Sequence, residues 1–298
     1  MRSRVRRFVK PGAALLLAGV VLSTAACGPR LDDKVGGFAQ PESAIHDPVA
    51  DVYFVSSIHE NPRAHDGNGF ISRVSPKGEV LDLRWIAGGV NGVTLDAPKG
   101  MSISGERLFV ADIDHVRVFD RKTGAPLAAI TPPGAVALNG MATGPDGTVY
   151  VTDTAWSADS DDSTGADAVF KIAPDLSVQV LCRGPALAQP NGITVDATGV
   201  YLVSWSQPEL SRLEPDCKRT VLARFEKSGL DGLVRTRHGD FLASSWHGRA
   251  IYRVNAAHEI GGFFEHRALP GIGYDATRDR LLIPFYELGE VGFRDGTR

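Results

Sequence analysis

A short phrase of residues recurs along this chain and constrains its fold more than any other feature. In each copy one residue is followed by Gly or Ser, an apolar residue, a short turn and a strand-like run such as VYV or LFV. The copies are separated by 57, 40, 52, 40 and 39 residues, the period expected when each repeat is one blade of a β-propeller. The sequence therefore predicts an all-β, six-bladed propeller of four-stranded blades. The first residues of the phrases, called the column, should face one central opening: Glu42, Lys99, Asn139, Asn191, Asp231 and Pro270.

The sixth repeat ends after three strands, so the ring needs a strand from elsewhere. The segment KVGGF, from Lys34 to Phe38, resembles EIGGF, from Glu259 to Phe263, which is the predicted outer strand of blade five. Pairing the two chain ends would complete the last blade and leave no open sheet edge. We therefore expect residues 31–298 to form a single propeller domain closed by an N-terminal strand.

The first 26 residues have the pattern of an export signal. Five basic residues precede an apolar run from about Ala13 to Leu22, and the small residues STAA follow it, just before Cys27. The apolar run is too short to span a membrane. Cys27 resembles a bacterial lipoprotein acceptor, which predicts lipidation; a plainly cleaved, secreted protein is the alternative. We expect an exported protein of the cell envelope, periplasm or exterior, held at a membrane only through a lipid anchor.

The net charge argues against nucleic acid as a partner. Removing the five basic residues of the signal segment, which has no acids, takes the net charge from −3 to −8. No basic stripe offsets this acidity. We expect a monomer that binds a small-molecule substrate.

Two cysteines, Cys182 and Cys217, remain after Cys27. An exported protein would normally pair them. The blade register places Cys182 at the end of one outer strand and Cys217 before the next. Six strand residues at ~3.3 Å each would separate them far beyond the ~7 Å Cα limit for a disulfide. The sequence therefore predicts two unpaired thiols.

Four column residues have the chemistry of a metal site. Glu42 and Asp231 offer carboxylates, and Asn139 and Asn191 offer amide oxygens. Ca²⁺ favours such an all-oxygen set, and Mg²⁺, Mn²⁺ or Zn²⁺ are alternatives. Ordinary polar turn residues would look the same by spacing alone.

The order of these phrases resembles the senescence-marker-protein and gluconolactonase family, which includes regucalcin. The matching segments are PESAIHDPVADVYFVSSI from Pro41, LNGMATGPDGTVYVTD from Leu138, PNGITVDATGVYLVSW from Pro190 and LDGLVRTRHGDFLASSW from Leu230. The resemblance implies a six-bladed propeller with one divalent metal, in a family that contains sugar lactonases. It implies Glu42, Asn191 and Asp231 as metal ligands, Asn139 as a ligand or substrate contact, and Asp231 as the catalytic general base.

Two departures from that pattern bear on the substrate. Sugar lactonases of this family often carry Arg just before the third-blade Asn, where this chain has Val136, Ala137 and Leu138. Lys99 places a positive charge in the column, which could hold a substrate anion or pair with a column carboxylate. Pro270 is interpreted as a strand start.

Further candidates lie where long loops should gather on the same face. The loops begin at His59 and Ala155, and the residues that could contact substrate there are His115, Asp153, Trp246 and His247. Trp156, Trp205 and Trp246 could instead be wedges between blades. The leading hypothesis is a metal-dependent hydrolase of a lactone or related ester. The alternative is a non-catalytic envelope propeller that binds a small ligand or protein partner and carries a structural metal.

Overall fold

A computed structural model describes residues 31–267 and 269–297. Cys27 and the signal segment lie outside the described residues. Six separate four-stranded antiparallel sheets make up the fold, which confirms the predicted six-bladed propeller. In the described part of the chain, no helix is long and apolar enough to cross a membrane.

Each blade uses four strands in chain order, from the axis outwards. Blade one is β2 (Pro41–Asp47), β3 (Val52–Ser57), β4 (Phe70–Val74) and β5 (Val80–Ala87). Blade two is β6 (Pro98–Ser104), β7 (Arg107–Asp112), β8 (His115–Asp120) and β9 (Pro126–Ile130). Blade three is β10 (Leu138–Thr143), β11 (Val149–Asp153), β12 (Ala168–Ile172) and β13 (Val178–Arg183).

The remaining blades repeat the same order. Blade four is β14 (Pro190–Asp196), β15 (Gly199–Ser204), β16 (Glu209–Leu213) and β17 (Arg219–Arg224). Blade five is β18 (Leu230–Arg235), β19 (Phe241–Ser245), β20 (Ala250–Val254) and β21 (Ile260–Glu265). Blade six is β22 (Gly273–Asp275), β23 (Arg280–Phe285), β24 (Glu290–Asp295) and the N-terminal β1 (Asp33–Gly36). A short 3₁₀ turn, Pro185–Leu187, precedes blade four.

The N-terminal strand closes the ring as predicted. β1 pairs antiparallel with β24, with Lys34 opposite Gly292 and Val35 opposite Val291. Lys34 also forms an exposed ion pair with Glu290, with Nζ 3.0 Å from Oε1. The last blade is therefore complete only when β1 pairs with β24.

Apolar packing holds the blades face to face. Each junction between neighbouring blades contains a buried cluster, such as Phe109, Leu138 and Phe170 between blades two and three. Phe54, Leu95 and Phe119 fill the junction between blades one and two. The alternation of apolar residues along the strands supplies these faces, because successive side chains point to opposite sides of a blade.

In blades two to five, the glycine after the column residue is required by the crowding of the inner strands. A Cβ on Gly100, Gly140, Gly192 or Gly232 would lie 2.1 to 2.4 Å from the backbone of the next blade. No real Cβ approaches a backbone atom so closely, so only glycine lets the inner strands pack around the axis. The recurrent Gly is therefore a packing requirement of the ring. In blade six the innermost strand, β22, begins at Gly273. The interpretation of Pro270 as a strand start is therefore wrong by three residues.

The prediction of two unpaired thiols is wrong. Cys182 and Cys217 form a disulfide with their Cα atoms 5.5 Å apart. The strand register behind the prediction holds, because Cys182 lies in β13 and Cys217 directly precedes β17. The prediction is wrong because it treated the outer strands of blades three and four as if both ran parallel to the propeller axis. Sheet twist of about 20–25° per strand accumulates across a blade, and Cys182 packs beside Leu202 and Leu213 of blade four.

Candidate functional site

The column residues are presented to the axis by irregularities in the inner strands. In blades one to five the pairing between first and second strands shifts register at the column residue. Such β-bulges bend a strand and redirect its side chains, and they are common beside active sites. A polar residue is therefore directed into the channel although the rest of its strand follows the ordinary alternation.

Hydroxyl groups lock the column backbone in alternate blades. In blades one, three and five, a hydroxyl on the second strand accepts a hydrogen bond from the backbone N–H of the residue after the column residue of the same blade, at 2.7 to 3.0 Å. It donates to the carbonyl of the column residue in the next blade, at 2.6 to 2.8 Å. The three residues are Ser56, Thr152 and Ser244. These links tie blade one to two, three to four and five to six at the level of the site.

The four oxygen-bearing column residues line one cavity on the axis. Glu42, Asn139, Asn191 and Asp231 all contribute to its wall, and their exposed fractions lie between 1% and 5%. Both amide atoms of Asn191 are buried without a hydrogen-bond partner, as is Nδ2 of Asn139. Within residues 31–267 and 269–297, no group donates a hydrogen bond to the Glu42 carboxylate. Buried polar atoms normally find partners, so these side chains are suited to bind a group that supplies them.

Burial gives the two carboxyl groups unusual acidities. Burial raises the pKa of Glu42 well above its ordinary value, the nearby charge of Asp231 raises it further, and Lys99 lowers it in part. Burial also raises the pKa of Asp231 to about 7, against a hydrogen bond from Trp246 and the charge of Lys99. Trp246 Nε1 lies 2.7 Å from Oδ2 of Asp231. This bond fixes the orientation of the carboxyl group that the family resemblance implies as general base.

Lys99 is buried beside the carboxylates, with 2% of its surface exposed. Its ammonium donates to the carbonyl of Pro62 at 3.2 Å and to that of Ala97 at 3.4 Å. Burial lowers the pKa of Lys99, and Glu42 is the largest influence in the opposite direction. The described residues contain no direct ion pair between Lys99 and a carboxylate, so its charge acts on Glu42 and Asp231 through space.

Two long loops meet over the column. The loop between β3 and β4 contributes Arg63, which reaches the loop between β11 and β12 in blade three. Nη2 of Arg63 lies 2.6 Å from Oδ1 of Asp161 and 3.2 Å from the carbonyl of Ser160. The guanidinium also lies over the Trp156 ring, 5.7 Å from its centroid. We call these two loops the roof.

Aromatic rings join neighbouring blades on the roof side. Trp156 contacts Trp205 edge to face at 5.3 Å, and Trp246 contacts Tyr286 in the same way at 5.4 Å. The three tryptophans therefore bridge blades, as wedges would. Burial raises the pKa of Tyr286 to about 12, with Glu42 adding to the effect. The sequence analysis did not identify Tyr286 as a site residue. Its position was a usable signal, because Tyr286 follows the second strand of blade six just as Trp246 follows that of blade five.

The other predicted substrate contacts form bonds elsewhere. Both oxygens of Asp153 accept backbone N–H groups, from Val136 at 2.8 Å and from Ala137 at 2.8 Å among others. His115 Nδ1 lies 2.6 Å from Oδ1 of Asp114. His247 is exposed, contacts the Trp205 ring in a tilted arrangement with centroids 5.2 Å apart, and lies 3.1 Å from the Ser228 hydroxyl. Their roles toward a substrate stay predictions.

The donor set fits a divalent cation that prefers oxygen ligands. Among the described residues, no group of three or more His, Cys, Asp and Glu side chains could hold a metal ion. A metal in the column would therefore depend on the asparagine oxygens together with the two carboxylates. Asn191 meets that requirement, because its buried amide oxygen has no other partner.

Fold and site together define a six-bladed propeller with an oxygen-rich site on its axis. No family model and no curated protein matches the chain in sequence. Solved structures match it over most of its length. A candidate gluconolactonase from a structural genomics programme has 13% identity and a TM-score of 0.67, covering 92% of this chain and 94% of that chain.

Two further structures share the architecture. Regucalcin from Agrobacterium tumefaciens, described as a calcium-binding protein, has 16% identity and a TM-score of 0.61, covering 87% of this chain and 93% of its own. Virginiamycin B lyase from Staphylococcus aureus has 13% identity and a TM-score of 0.59, covering 88% and 97%. At these identities the likeness establishes the shared fold. The fold implied by the sequence motifs is thereby confirmed.

Proposed function

We propose that the protein is a divalent-metal-dependent hydrolase of a lactone or related ester, acting at the column. The observation that carries this proposal is the convergence of Glu42, Asn139, Asn191 and Asp231 on one cavity, with the Asn191 amide buried and unpartnered. The fold shared with a candidate gluconolactonase and with a calcium-binding regucalcin supports it.

Glu42, Asn139, Asn191 and Asp231 would hold the metal. Two carboxylates balance the charge of a dication, and the two amides complete an oxygen set of the kind Ca²⁺ prefers. Ca²⁺ is therefore the first choice, ahead of Zn²⁺, Mn²⁺ and Mg²⁺. A bound divalent cation would polarise the substrate carbonyl and lower the pKa of water.

Asp231 would take the proton in the hydrolysis. The oxygen of water bonds to the acyl carbon as Asp231 accepts the proton that water loses. The bond between the acyl carbon and the ring oxygen then breaks, and the proton passes to that ring oxygen to give the hydroxy acid. Asp231 would act as its ionised carboxylate, which accepts the proton from water and returns it to the leaving oxygen, and the Trp246 N–H orients that carboxylate through Oδ2.

The test combines metal binding with turnover. We expect about one equivalent of bound Ca²⁺, a rise in melting temperature on adding it, and hydrolysis of at least one lactone that EDTA abolishes. Asp231→Asn should abolish hydrolysis, whereas Asp216→Asn, an exposed residue paired with Lys218, should not change it. Metal binding without hydrolysis of any lactone or ester would favour the non-catalytic propeller. Under about 0.1 equivalent of every metal tested would remove the metal site itself.

We further propose that the protein works outside the cytoplasm, anchored through Cys27. The Cys182–Cys217 disulfide supports an oxidising compartment. Cys27→Ser should move the protein from the membrane fraction to the soluble envelope fraction without changing hydrolysis. An unchanged membrane fraction would contradict the anchor.

A further inference from the structure

The cavity that contains the column extends away from the roof. Its volume is about 430 Å³, within the usual range for ligand pockets, and its wall consists of inner-strand residues and the residues adjoining those strands. It runs from the column to the opposite ends of the same strands, where His46 and Arg235 lie. From Asp231 to Arg235 is four residues, or about 13 Å at ~3.3 Å each. The column therefore lies at the inner end of a channel.

The wall of this channel carries no charged side chain between the column and its far end. Three residues beyond each column position lies a second ring of small or apolar residues. The ring comprises Ile45, Ser102, Ala142, Thr194, Val234 and Gly273. Met101, Met141, Ile193, Leu233 and Ile272 add apolar surface at the same level. The Ser102 hydroxyl is already bonded to Thr143, and Thr194 carries the other hydroxyl of the ring, so the second ring offers few polar partners.

The roof loops are tied down on the other side of the column. Lys99 holds the Pro62 carbonyl down over the column at 3.2 Å, and Arg63 links the two roof loops through Asp161. The roof residues contribute nothing to the cavity wall. A substrate with its reacting carbonyl at the column therefore finds space for a substituent in the channel.

Building on the proposed function, we propose that the substrate carries an unbranched, uncharged hydrocarbon chain, which runs from the column into the channel. A polyhydroxylated substituent would need a hydrogen-bond partner for each buried hydroxyl, because an unpaired buried hydroxyl is costly, and the second ring does not supply them. Alkyl-substituted lactones match the wall, and each buried methylene adds to binding.

The experiment is a series of γ-lactones of increasing chain length: butyrolactone, hexalactone, octalactone, decalactone and dodecalactone. We expect kcat/KM to rise by about fourfold for each added methylene, equivalent to ~0.8 kcal/mol, until the chain reaches the far end of the channel. Gluconolactone should be a poor substrate. A kcat/KM that is flat or falls with chain length would overturn the proposal.

Variants of the second ring locate the effect. Ala142→Phe and Val234→Phe should remove the gain for the long lactones while keeping the Ca²⁺-induced rise in melting temperature, which shows that the fold and the column are intact. Ala257→Phe, on an exposed turn of blade five, is the matched control and should keep the full gain. A long-chain gain that survives both channel variants would refute the placement of the chain.

A binding measurement separates this inference from the proposed function. If no lactone is hydrolysed, the proposed function fails, but calorimetry with 1-decanol and 1-butanol still tests the channel. Decanol should bind more tightly than butanol to the parent protein and lose that advantage in Val234→Phe. Equal affinities for the two alcohols would overturn the inference whatever the activity.

Discussion

Asp231→Asn should stabilise the metal-free protein while destroying its site. Burial raises the pKa of Asp231 from an ordinary 3.8 to about 7. Each pKa unit corresponds to ~1.36 kcal/mol, so keeping this group ionised in the fold at pH 8 costs about 4 kcal/mol. Asparagine removes the charge and keeps an oxygen that can accept the Trp246 N–H. The variant should therefore gain up to about 4 kcal/mol in free energy of unfolding in EDTA at pH 8.

The sign of the pH dependence follows from the raised pKa. Between pH 3.8 and about 7 the folded protein holds a proton that the unfolded chain has released, so the stability of the metal-free parent falls as pH rises through this window. Asp231→Asn lacks this dependence. Its advantage over the parent should be largest at pH 8 and shrink toward pH 5.

The assay is chemical denaturation at both pH values, in EDTA and in Ca²⁺. Added Ca²⁺ should stabilise the parent and leave Asp231→Asn unchanged. Asp275→Asn is the matched control, because Asp275 is also buried, but hydrogen bonds from Arg278 and Tyr53 outweigh burial and lower its pKa. That variant should be destabilised, because an amide NH₂ would face a donor. Asp231→Asn no more stable than the parent at pH 8 in EDTA would refute the electrostatic reasoning.

Three further predictions concern the fold. Gly192→Ala places a Cβ 2.1 Å from a backbone carbonyl and should cost about 1–3 kcal/mol of unfolding free energy; Gly261→Ala, with nothing within 4 Å, is its control, and equal stability of the two would contradict the packing argument. Replacing Cys182 and Cys217 by serine opens a bridge across 35 residues and should cost ~4 kcal/mol by the chain-entropy relation, measured by denaturation against the oxidised parent; the reduced parent should match the variant, and a variant as stable as the oxidised parent would contradict the argument. Deleting residues 31–40 should lower the melting temperature of the whole propeller in one transition, and a deletion that melts like the parent would rule out the strand closure.

The sequence alone determined the architecture and the composition of the column. The repeat period and the glycine after the column residue of blades two to five are local features, and the ring imposes this glycine through the same close approach of inner strands. Glu42, Asn139, Asn191 and Asp231 could therefore be assigned to one axis before any coordinates were known. The closure by β1 followed from the same periodicity, because the sixth repeat lacked a strand.

Only the tertiary structure decided the contacts between blades and between loops. The Cys182–Cys217 bridge depends on twist accumulated across a blade, which the order of residues does not express. The Trp246 bond to Asp231 and the Arg63 link to Asp161 depend on loop conformations outside the repeat. The uncharged channel beyond the column also required coordinates, because bulges at the column residues change which side chains of the inner strands face the axis. A repeat fixes where each strand lies, whereas contacts across the ring depend on angles and loop paths that differ from blade to blade.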